Sequence, residues 1–183
     1  KIIKKLKANK LNSYLKKKWA PAIIGPDLNY WIVDRHHLSF SLLKAEVPRK
    51  YKRLHIRILH DWSDMSWKKF SKKMKEENFL YLKDQNFKVI SFTDIPRSLE
   101  DMQDNPYRSL AYFARERGCF SKVTIPFLEF TWGEYFYKQA VNIPADRDYS
   151  TPLKKALSLC HSGSARSLPG FQKSFTSEFS QNF

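Results

Sequence analysis

The chain of 183 residues is long enough for one compact domain, or one domain with a short appendage, and too short for two full-sized domains. Hydrophobic residues make up 42% of it and aromatic residues 15%, which excludes the apolar-poor composition of disordered chains. The net charge of +15 favours polyanionic or phosphorylated ligands such as nucleic acid, nucleotides or anionic membranes.

Lysines crowd the beginning of the chain. Eight of them fall within the first eighteen residues, with no acidic residue among them: Lys1, Lys4, Lys5, Lys7, Lys10, Lys16, Lys17 and Lys18. The cluster is either a surface that binds a polyanion or a solvated basic face without a ligand, and the sequence leaves both alternatives open.

The two cysteines and the distribution of apolar residues narrow the kinds of protein to which the chain can belong. Cys119 and Cys160 each lack the close second cysteine of a zinc site or redox pair, so we expect neither such a site nor a disulfide framework. No run of eighteen apolar residues exists, so we expect a soluble protein without a membrane span. The chain begins at Lys1 without a signal-like stretch, which leaves a cytoplasmic location, or an exported one with the targeting segment absent from this chain, equally open.

The first quarter of the chain predicts a helix, two strands and a second helix. Residues 1–19 place apolar side chains among lysines at helical spacing, which indicates a basic amphipathic helix interrupted near residues 12–13. Residues 21–25 and 30–33 are β-branched and aromatic runs joined by Gly, Pro, Asp and Asn, the composition of a hairpin. Helical spacing then resumes over residues 36–47.

Shorter elements follow in the middle of the chain. Residues 54–59 alternate apolar with polar side chains, which predicts a strand with one covered face and one wet face. Ser66 is placed to cap a helix that runs to about Glu77. Residues 79–82 predict a brief extended piece, and residues 95–99 the beginning of another helical stretch.

The last third is predominantly helical. Asn105 and Pro106 begin a helix that Gly118 should stop. Residues 126–137 are rich in aromatic side chains and are expected to be helical in their second half. A final helix is expected over residues 150–160, and the serine-rich remainder should be loosely ordered.

The predicted elements are a few strands and a larger number of helices, and they do not follow a strict βαβ alternation. This order predicts the α+β class. We expect three segments along the chain. They are a basic amphipathic helical lead-in at residues 1–19, a core domain at residues 20–149, and a C-terminal helix and tail at residues 150–183 that pack on the core or trail from it.

One tetrad concentrates chemistry where the second strand hands over to a helix. Asp34, Arg35, His36 and His37 combine a carboxylate, a guanidinium and two imidazoles. A helix start favours an anion, a guanidinium can bind phosphate through two hydrogen bonds, and an imidazole can exchange a proton near neutral pH. The alternative is a structural turn, with Asp34 as an N-cap and the histidines hydrogen-bonded into the first turn.

Landmarks in a fixed order surround this tetrad. They are Ile24-Gly25-Pro26-Asp27, Tyr30 to Leu38, Leu80-Tyr81, Ile95 to Leu99, Asn105 to Ala111, the aromatic segment Pro126 to Phe136, and Leu168-Pro169-Gly170. In this order the chain closely resembles the ParB-like nuclease family over about residues 21–171. The most specific features are the Pro-Tyr-Arg-Ser-Leu stretch and the histidine pair.

The resemblance implies a member of the ParB and sulfiredoxin superfamily, with a small mixed sheet flanked by several helices and a turn that binds nucleotide phosphates. In the free-serine kinases of that superfamily the turn reads Asp-Gly-His-His-Arg. Asp34, His36 and His37 match this pattern, whereas Arg35 stands at the glycine and Leu38 at the last arginine. The cysteine of sulfiredoxins, the Gly-Glu-Arg-Arg motif of partition proteins and the upstream Pro-Thr-Gln motif of the nuclease family have no counterpart in the sequence.

Further phosphate-binding candidates lie in the second half of the chain. Arg108 and Ser109 stand beside the predicted helix start, and Lys122 follows the helix stop. Arg108 has an equal claim as an ion-pair partner of Asp104. Two glutamates of the aromatic segment, at positions 129 and 134, could supply a general base, but they are expected on its solvent side.

The expected function is that of a ParB-like nuclease that binds nucleic acid or nucleotide at the tetrad. Asp34, His36 and His37 are the candidate catalytic residues, and Arg35 is the candidate phosphate ligand. A divalent cation, Mg²⁺ or Mn²⁺, is compatible with this chemistry, but no carboxylate cluster in the sequence identifies its ligands. The alternatives are a nucleotide-dependent phosphotransferase related to the free-serine kinases and a non-enzymatic module that binds nucleic acid or protein.

Overall fold

The computed structural model describes residues 2–7 and 9–173, which adopt an α+β fold of seven α-helices and one three-stranded mixed sheet. The helices are α1 (Ile2–Lys7), α2 (Leu11–Lys17), α3 (His36–Lys44), α4 (Trp67–Glu76), α5 (Pro106–Glu116), α6 (Leu128–Lys138) and α7 (Ser150–Cys160). The strands are β1 (Ala20–Ile24), β2 (Tyr30–Ile32) and β3 (Ile56–Asp61). The predicted fold class and the small mixed sheet are confirmed.

The chain divides into two compact units. Unit 1 comprises residues 1–82 and 90–102, and unit 2 comprises residues 83–89 and 103–183. Unit 1 contains the sheet and helices α1 to α4, and unit 2 contains helices α5 to α7.

The sheet of unit 1 has the strand order β2-β1-β3. Strands β1 and β2 form the predicted antiparallel hairpin, whose turn is held by the Asp27 carboxylate accepting hydrogen bonds from Asn29 N (3.1 Å) and Trp31 Nε1 (3.3 Å). Strand β3 pairs with β1 in parallel. Since Ala22 and Ile23 of the central strand are fully buried, β1 anchors the sheet from which β2 leads into α3.

Two hydrophobic clusters stabilise unit 1. One joins α1, α2 and α3 through Ile2, Leu11, Leu15, Leu42 and Val47. The other packs the sheet against α4 through Ile23, Trp62, Phe70 and Met74, with Trp31 and Val33 at its edge. Strand β2 is therefore fixed from the side of α4 just before the tetrad begins.

Unit 2 is built around a buried aromatic core. Trp132 of α6 stacks on Phe120 with ring centroids 4.3 Å apart and donates a hydrogen bond from Nε1 to the Pro169 carbonyl (2.8 Å). Gly133 allows α5 and α6 to approach closely, since a Cβ there would lie 2.9 Å from the Tyr107 carbonyl carbon. Helix α7 closes this core.

The two cysteines form a disulfide, although neither argued for a disulfide framework in the sequence. Cys119, just after α5, and Cys160, the last residue of α7, are fully buried and form a disulfide with their Cα atoms 5.5 Å apart. They are 41 residues apart in sequence. Because their proximity comes from the packing of α5 against α7, local spacing could not reveal it.

The serine-rich end is more ordered than predicted. Between α7 and residue 173 the chain packs on the core of unit 2, where Ala165 is fully buried and Phe171 pairs with Phe120 through a β-bridge. The rest of the predicted tail, residues 174–183, lies outside the described residues.

Four local predictions also need correction. The N-terminal helix is interrupted between Lys7 and Leu11 rather than near residues 12–13. All six residues of β3 are exposed, so neither face is covered. Residues 79–82 form no strand. Residues 95–99 begin no α-helix, because this part of the chain makes 3-10 turns at Phe92–Asp94 and Leu99–Asp101.

The predicted starts of α4 and α5 are confirmed, whereas α6 begins at Leu128, earlier than the predicted second half of residues 126–137. Ser66 caps α4 by accepting a hydrogen bond from Lys69 N (3.4 Å), and Asn105 caps α5 by accepting one from Arg108 N (3.0 Å).

Within the described ranges, every helix is too short or too polar to cross a bilayer.

Candidate functional site

The tetrad forms the turn between β2 and α3. Asp34 precedes the helix, Arg35 occupies the N-cap position, and α3 begins at His36. The Asp34 carboxylate accepts a hydrogen bond from Arg35 N (2.6 Å), and its other oxygen lies 3.8 Å from Arg35 Nε. Asp34 thus holds the backbone N–H of its neighbour and lies beside the guanidinium, and it is not itself the N-cap.

Arg35 adopts a left-handed backbone conformation, with φ 69° and ψ 19°. This conformation costs a residue with a Cβ roughly 1–2 kcal/mol, whereas glycine adopts it freely. The free-serine kinase pattern has glycine at this position, so the turn keeps a glycine-like backbone although its side chain is an exposed guanidinium.

The two histidines of the turn differ in environment. His36 is half-buried and its Nε2 lies 3.0 Å from the Ile32 carbonyl oxygen. Because a carbonyl oxygen only accepts, Nε2 carries the proton and Nδ1 is left as an acceptor. Burial lowers the pKa of His36 by more than the Ile32 carbonyl and the Asp34 charge raise it, so the ring is neutral near pH 7. His37 is exposed in the first turn of α3.

The turn is open to solvent rather than enclosed. Asp34, Arg35 and His37 are exposed, and His36 alone of the four packs inward. A phosphate bound here would lie on the surface, beside the exposed guanidinium and the positive end of the α3 dipole.

The other predicted phosphate ligands lie in unit 2. Arg108 and Ser109 are half-buried in the first turn of α5, with the Arg108 guanidinium 6.0 Å from the Tyr112 ring centroid. Asp104 pairs with Arg147 (3.4 Å), so the expected ion pair between Asp104 and Arg108 does not form.

Lys122 is exposed and follows the opposite end of α5. Helix α5 rises about 12 Å between Arg108 and its last residue, Glu116. The structure therefore gathers Asp34 to His37 into one turn and Arg108 with Ser109 into another, whereas Lys122 follows the other end of α5 in the chain.

The two glutamates of α6 are not on its solvent side. Glu129 pairs with Arg115 (3.1 Å), and Glu134 lies between Lys83 and Lys138. Their side chains are 22% and 20% exposed, respectively. Both carboxylates are thus committed to ion pairs, which argues against a role as a general base.

Across residues 2–7 and 9–173, no three His, Cys, Asp or Glu side chains are grouped so that they could hold a metal ion. Mg²⁺ is often held by one or two carboxylates together with substrate phosphates. At this turn Asp34 is the carboxylate that could take such a part.

Unit 1 also contains a cavity of about 250 Å³ that the sequence did not predict. Its walls come from β2, the first residue of α4 and the segment after α4: Trp31, Trp67, Phe92, Thr93, Ile95 and Arg97. The sequence offered one signal, an aromatic residue followed by two lysines at the start of the helix predicted after Ser66.

Positive charge is concentrated in unit 1. It holds 21 Lys and Arg against 10 Asp and Glu, and so carries +11 of the chain's +15. Both the turn and the aromatic cavity belong to this unit, which makes unit 1 the part of the chain most attractive to anions.

The sequence matches the model of the family described as "Putative ParB-like nuclease" over residues 1–138. This match includes α1 and α2, which lie before the resemblance seen over about residues 21–171, and it ends with α6. No curated protein matches the chain.

Among solved structures, the chain is similar to protein Atu1540 from Agrobacterium tumefaciens. The two share 29% sequence identity with a TM-score of 0.78, over 85% of this chain and 78% of the other. The family match extends from the first residue through the β2–α3 turn to the end of α6. The chain therefore belongs to the ParB-like nuclease family.

Proposed function

We propose that the chain binds phosphate groups of nucleic acid or nucleotide at the turn of residues 34–37 and acts on them as a nuclease. The observation that carries this proposal is the conformation of Arg35, which keeps a large cationic side chain where glycine would be unstrained. Strain at one residue points to a function when the side chain itself has a use. A guanidinium at a helix start has one, because it can bind a phosphate through two hydrogen bonds beside the helix dipole.

Each residue of the turn has a distinct role in this proposal. Arg35 binds the phosphate, and exposed His37 exchanges the proton. His36 holds the start of α3 against β2 through the Ile32 carbonyl, and Asp34 orients Arg35. Arg108, Ser109 and Lys122 remain proposed as further phosphate ligands.

A phosphotransferase related to the free-serine kinases is the second candidate. Asp34, His36 and His37 match the kinase pattern, and the glycine-like φ of Arg35 supports a similar backbone turn despite the changed residue. A binding module without catalysis is the third candidate, which the N-terminal lysines and the charge of unit 1 favour.

Binding at the turn is tested with a matched pair of variants. Arg35→Gly removes the guanidinium and relieves the strain, whereas Arg147→Gly makes the same substitution at another exposed arginine with positive φ, 61°. Losing hydrogen bonds to a charged group corresponds to about 1.5–3 kcal/mol, so Arg35→Gly should weaken binding of a labelled oligonucleotide or of ATP by about tenfold or more. Arg147→Gly should bind like the wild type. Equal affinities of the two variants would refute phosphate binding by Arg35.

Activity is tested on the same proteins with His37→Ala as the catalytic variant. Single- and double-stranded oligonucleotides are incubated with Mg²⁺ or Mn²⁺, and ATP or ADP with a hydroxyl acceptor. Cleavage that His37→Ala abolishes supports the nuclease, and consumption of nucleotide with intact oligonucleotides supports the phosphotransferase. Binding without either reaction would favour the binding module without catalysis.

A further inference from the structure

The aromatic cavity of unit 1 is left unused by the proposed function. Trp31 and Phe92 are stacked, with ring centroids 5.5 Å apart and an interplanar angle of 16°. Trp67 meets Trp31 edge-on at 6.0 Å and 65°, and its side chain is 41% exposed. Pockets for whole ligands begin at roughly 300 Å³, so a cavity of about 250 Å³ suits a single ring system.

We propose that this cavity stacks one unpaired base of a single-stranded nucleic acid. Aromatic side chains beside cationic ones are the means by which proteins hold single strands, since every base offers a flat face for stacking. A paired base has its faces covered by its neighbours, so a duplex cannot use the cavity.

The charges around the cavity favour a strand with phosphates. The Arg97 guanidinium lies 6.0 Å from the Trp67 ring centroid. Exposed Lys68 and Lys69 follow Trp67 in the first turn of α4, which has no acidic residue. Cations at this end of a helix oppose its dipole, so an anionic ligand beside them is favoured.

The same charges argue against a quaternary ammonium ligand in this cavity. Aromatic cages bind quaternary ammonium groups, but Arg97 on the wall would repel such a cation. Asp94, the acidic residue between Phe92 and Arg97, accepts a hydrogen bond from Ser91 N (2.9 Å) and is not among the lining residues.

This inference goes beyond the proposed function because it uses none of residues 34–37. Failure of phosphate binding at Arg35 would leave it standing, and its own failure would leave the turn untouched. The two are separated by measuring Arg35→Gly and Trp67→Ala on the same oligonucleotide.

Fluorescence anisotropy with a labelled 12-nucleotide oligothymidine tests the inference, beside a duplex of the same length and thymidine monophosphate as competitors. Alanine substitution of a stacking residue costs about 1–3 kcal/mol per base, so Trp67→Ala should weaken binding about fivefold to 150-fold. Trp67→Phe should retain most of the affinity. Arg97→Gln should reduce the slope of log affinity against log salt by about one.

Trp19→Ala is the matched control. Trp19 is 37% exposed and has the Arg57 guanidinium 5.2 Å from its ring, but it lies outside the cavity. It should bind like the wild type. If Trp67→Ala proves unstable by circular dichroism, Arg97→Gln against Arg57→Gln gives the same comparison at exposed positions.

Three results would overturn the inference. One is unchanged affinity of folded Trp67→Ala, and another is an equal loss in Trp19→Ala. The third is a loss of duplex affinity in Trp67→Ala as large as its loss of oligothymidine affinity, or competition by the monophosphate at the molar concentration of the oligonucleotide, which would assign the cavity to double strands or free nucleotides instead.

Discussion

Reduction of the disulfide should destabilise the protein more than any single surface substitution. Cys119 and Cys160 are separated by 41 residues. Cross-linking a loop of this length removes about 13 cal/mol/K of entropy from the unfolded chain, which corresponds to about 4 kcal/mol at 25 °C. For a chain of this size each kcal/mol moves the thermal midpoint by about 2–4 °C, so a decrease of about 8–16 °C is expected on reduction.

The assay must allow for the burial of both cysteines. Neither sulfur is accessible to reductant in the folded protein, so the protein is unfolded with a phosphine reductant and refolded in its presence. Thermal unfolding is then followed by circular dichroism for the oxidised and reduced forms. The Cys119→Ala, Cys160→Ala double variant, treated identically, controls for the reductant and should show one midpoint under both conditions.

Two results would refute this reasoning. Equal midpoints for the oxidised and the verified reduced protein would show that the cross-link does not restrict the unfolded chain as calculated. Two titratable thiols in the untreated, unfolded protein would show that the disulfide is absent. Since disulfides persist mainly in oxidising compartments, protein produced in an oxidising compartment should contain more of the cross-linked form than protein produced in a reducing one.

Three further predictions concern single positions. Ser66→Ala removes the cap of α4 and should lower the free energy of unfolding in urea by about 1 kcal/mol; an unchanged midpoint would contradict this. Gly170→Ala should cost more than about 1 kcal/mol in the same assay, because φ is +74° and a Cβ would clash with the Ser121 carbonyl oxygen. Burial raises the pKa of Glu134, but hydrogen bonds from Lys83 and its second lysine partner outweigh it and hold the pKa below the ordinary 4.5. The stability difference between wild type and Glu134→Gln should therefore be full above pH 4.5 and vanish as the pH falls through the folded pKa; a constant difference would refute it.

The parts of the fold that the sequence predicted are those that short-range chemistry decides. The hairpin of β1 and β2 follows from turn residues such as Asp27, and the start of α5 from Asn105 and Pro106. The helix predicted to begin within residues 95–99 does not form, because the choice between an α-helix and a 3-10 turn depends on local contacts. Here the Ser98 hydroxyl accepts a hydrogen bond from Glu100 N (3.1 Å) and caps the 3-10 turn Leu99–Asp101.

Features assembled from distant segments could not be predicted in this way. The disulfide depends on two cysteines that are 41 residues apart in the sequence and meet in one core. The aromatic cavity draws Trp31, Trp67 and Phe92 from three separate segments. The turn was predicted from its residue types and its place between a strand and a helix, but its left-handed residue was not, because arginine, unlike glycine, does not indicate a positive φ.

The two proposed contacts on unit 1 share strand β2, which sets the distance between them. Trp31 lines the aromatic cavity, and Asp34, three residues later, opens the turn. At about 3.3 Å per residue their Cα atoms are separated by at most roughly 10 Å. A single strand that stacks one base in the cavity therefore needs only a few nucleotides to place a phosphate at Arg35.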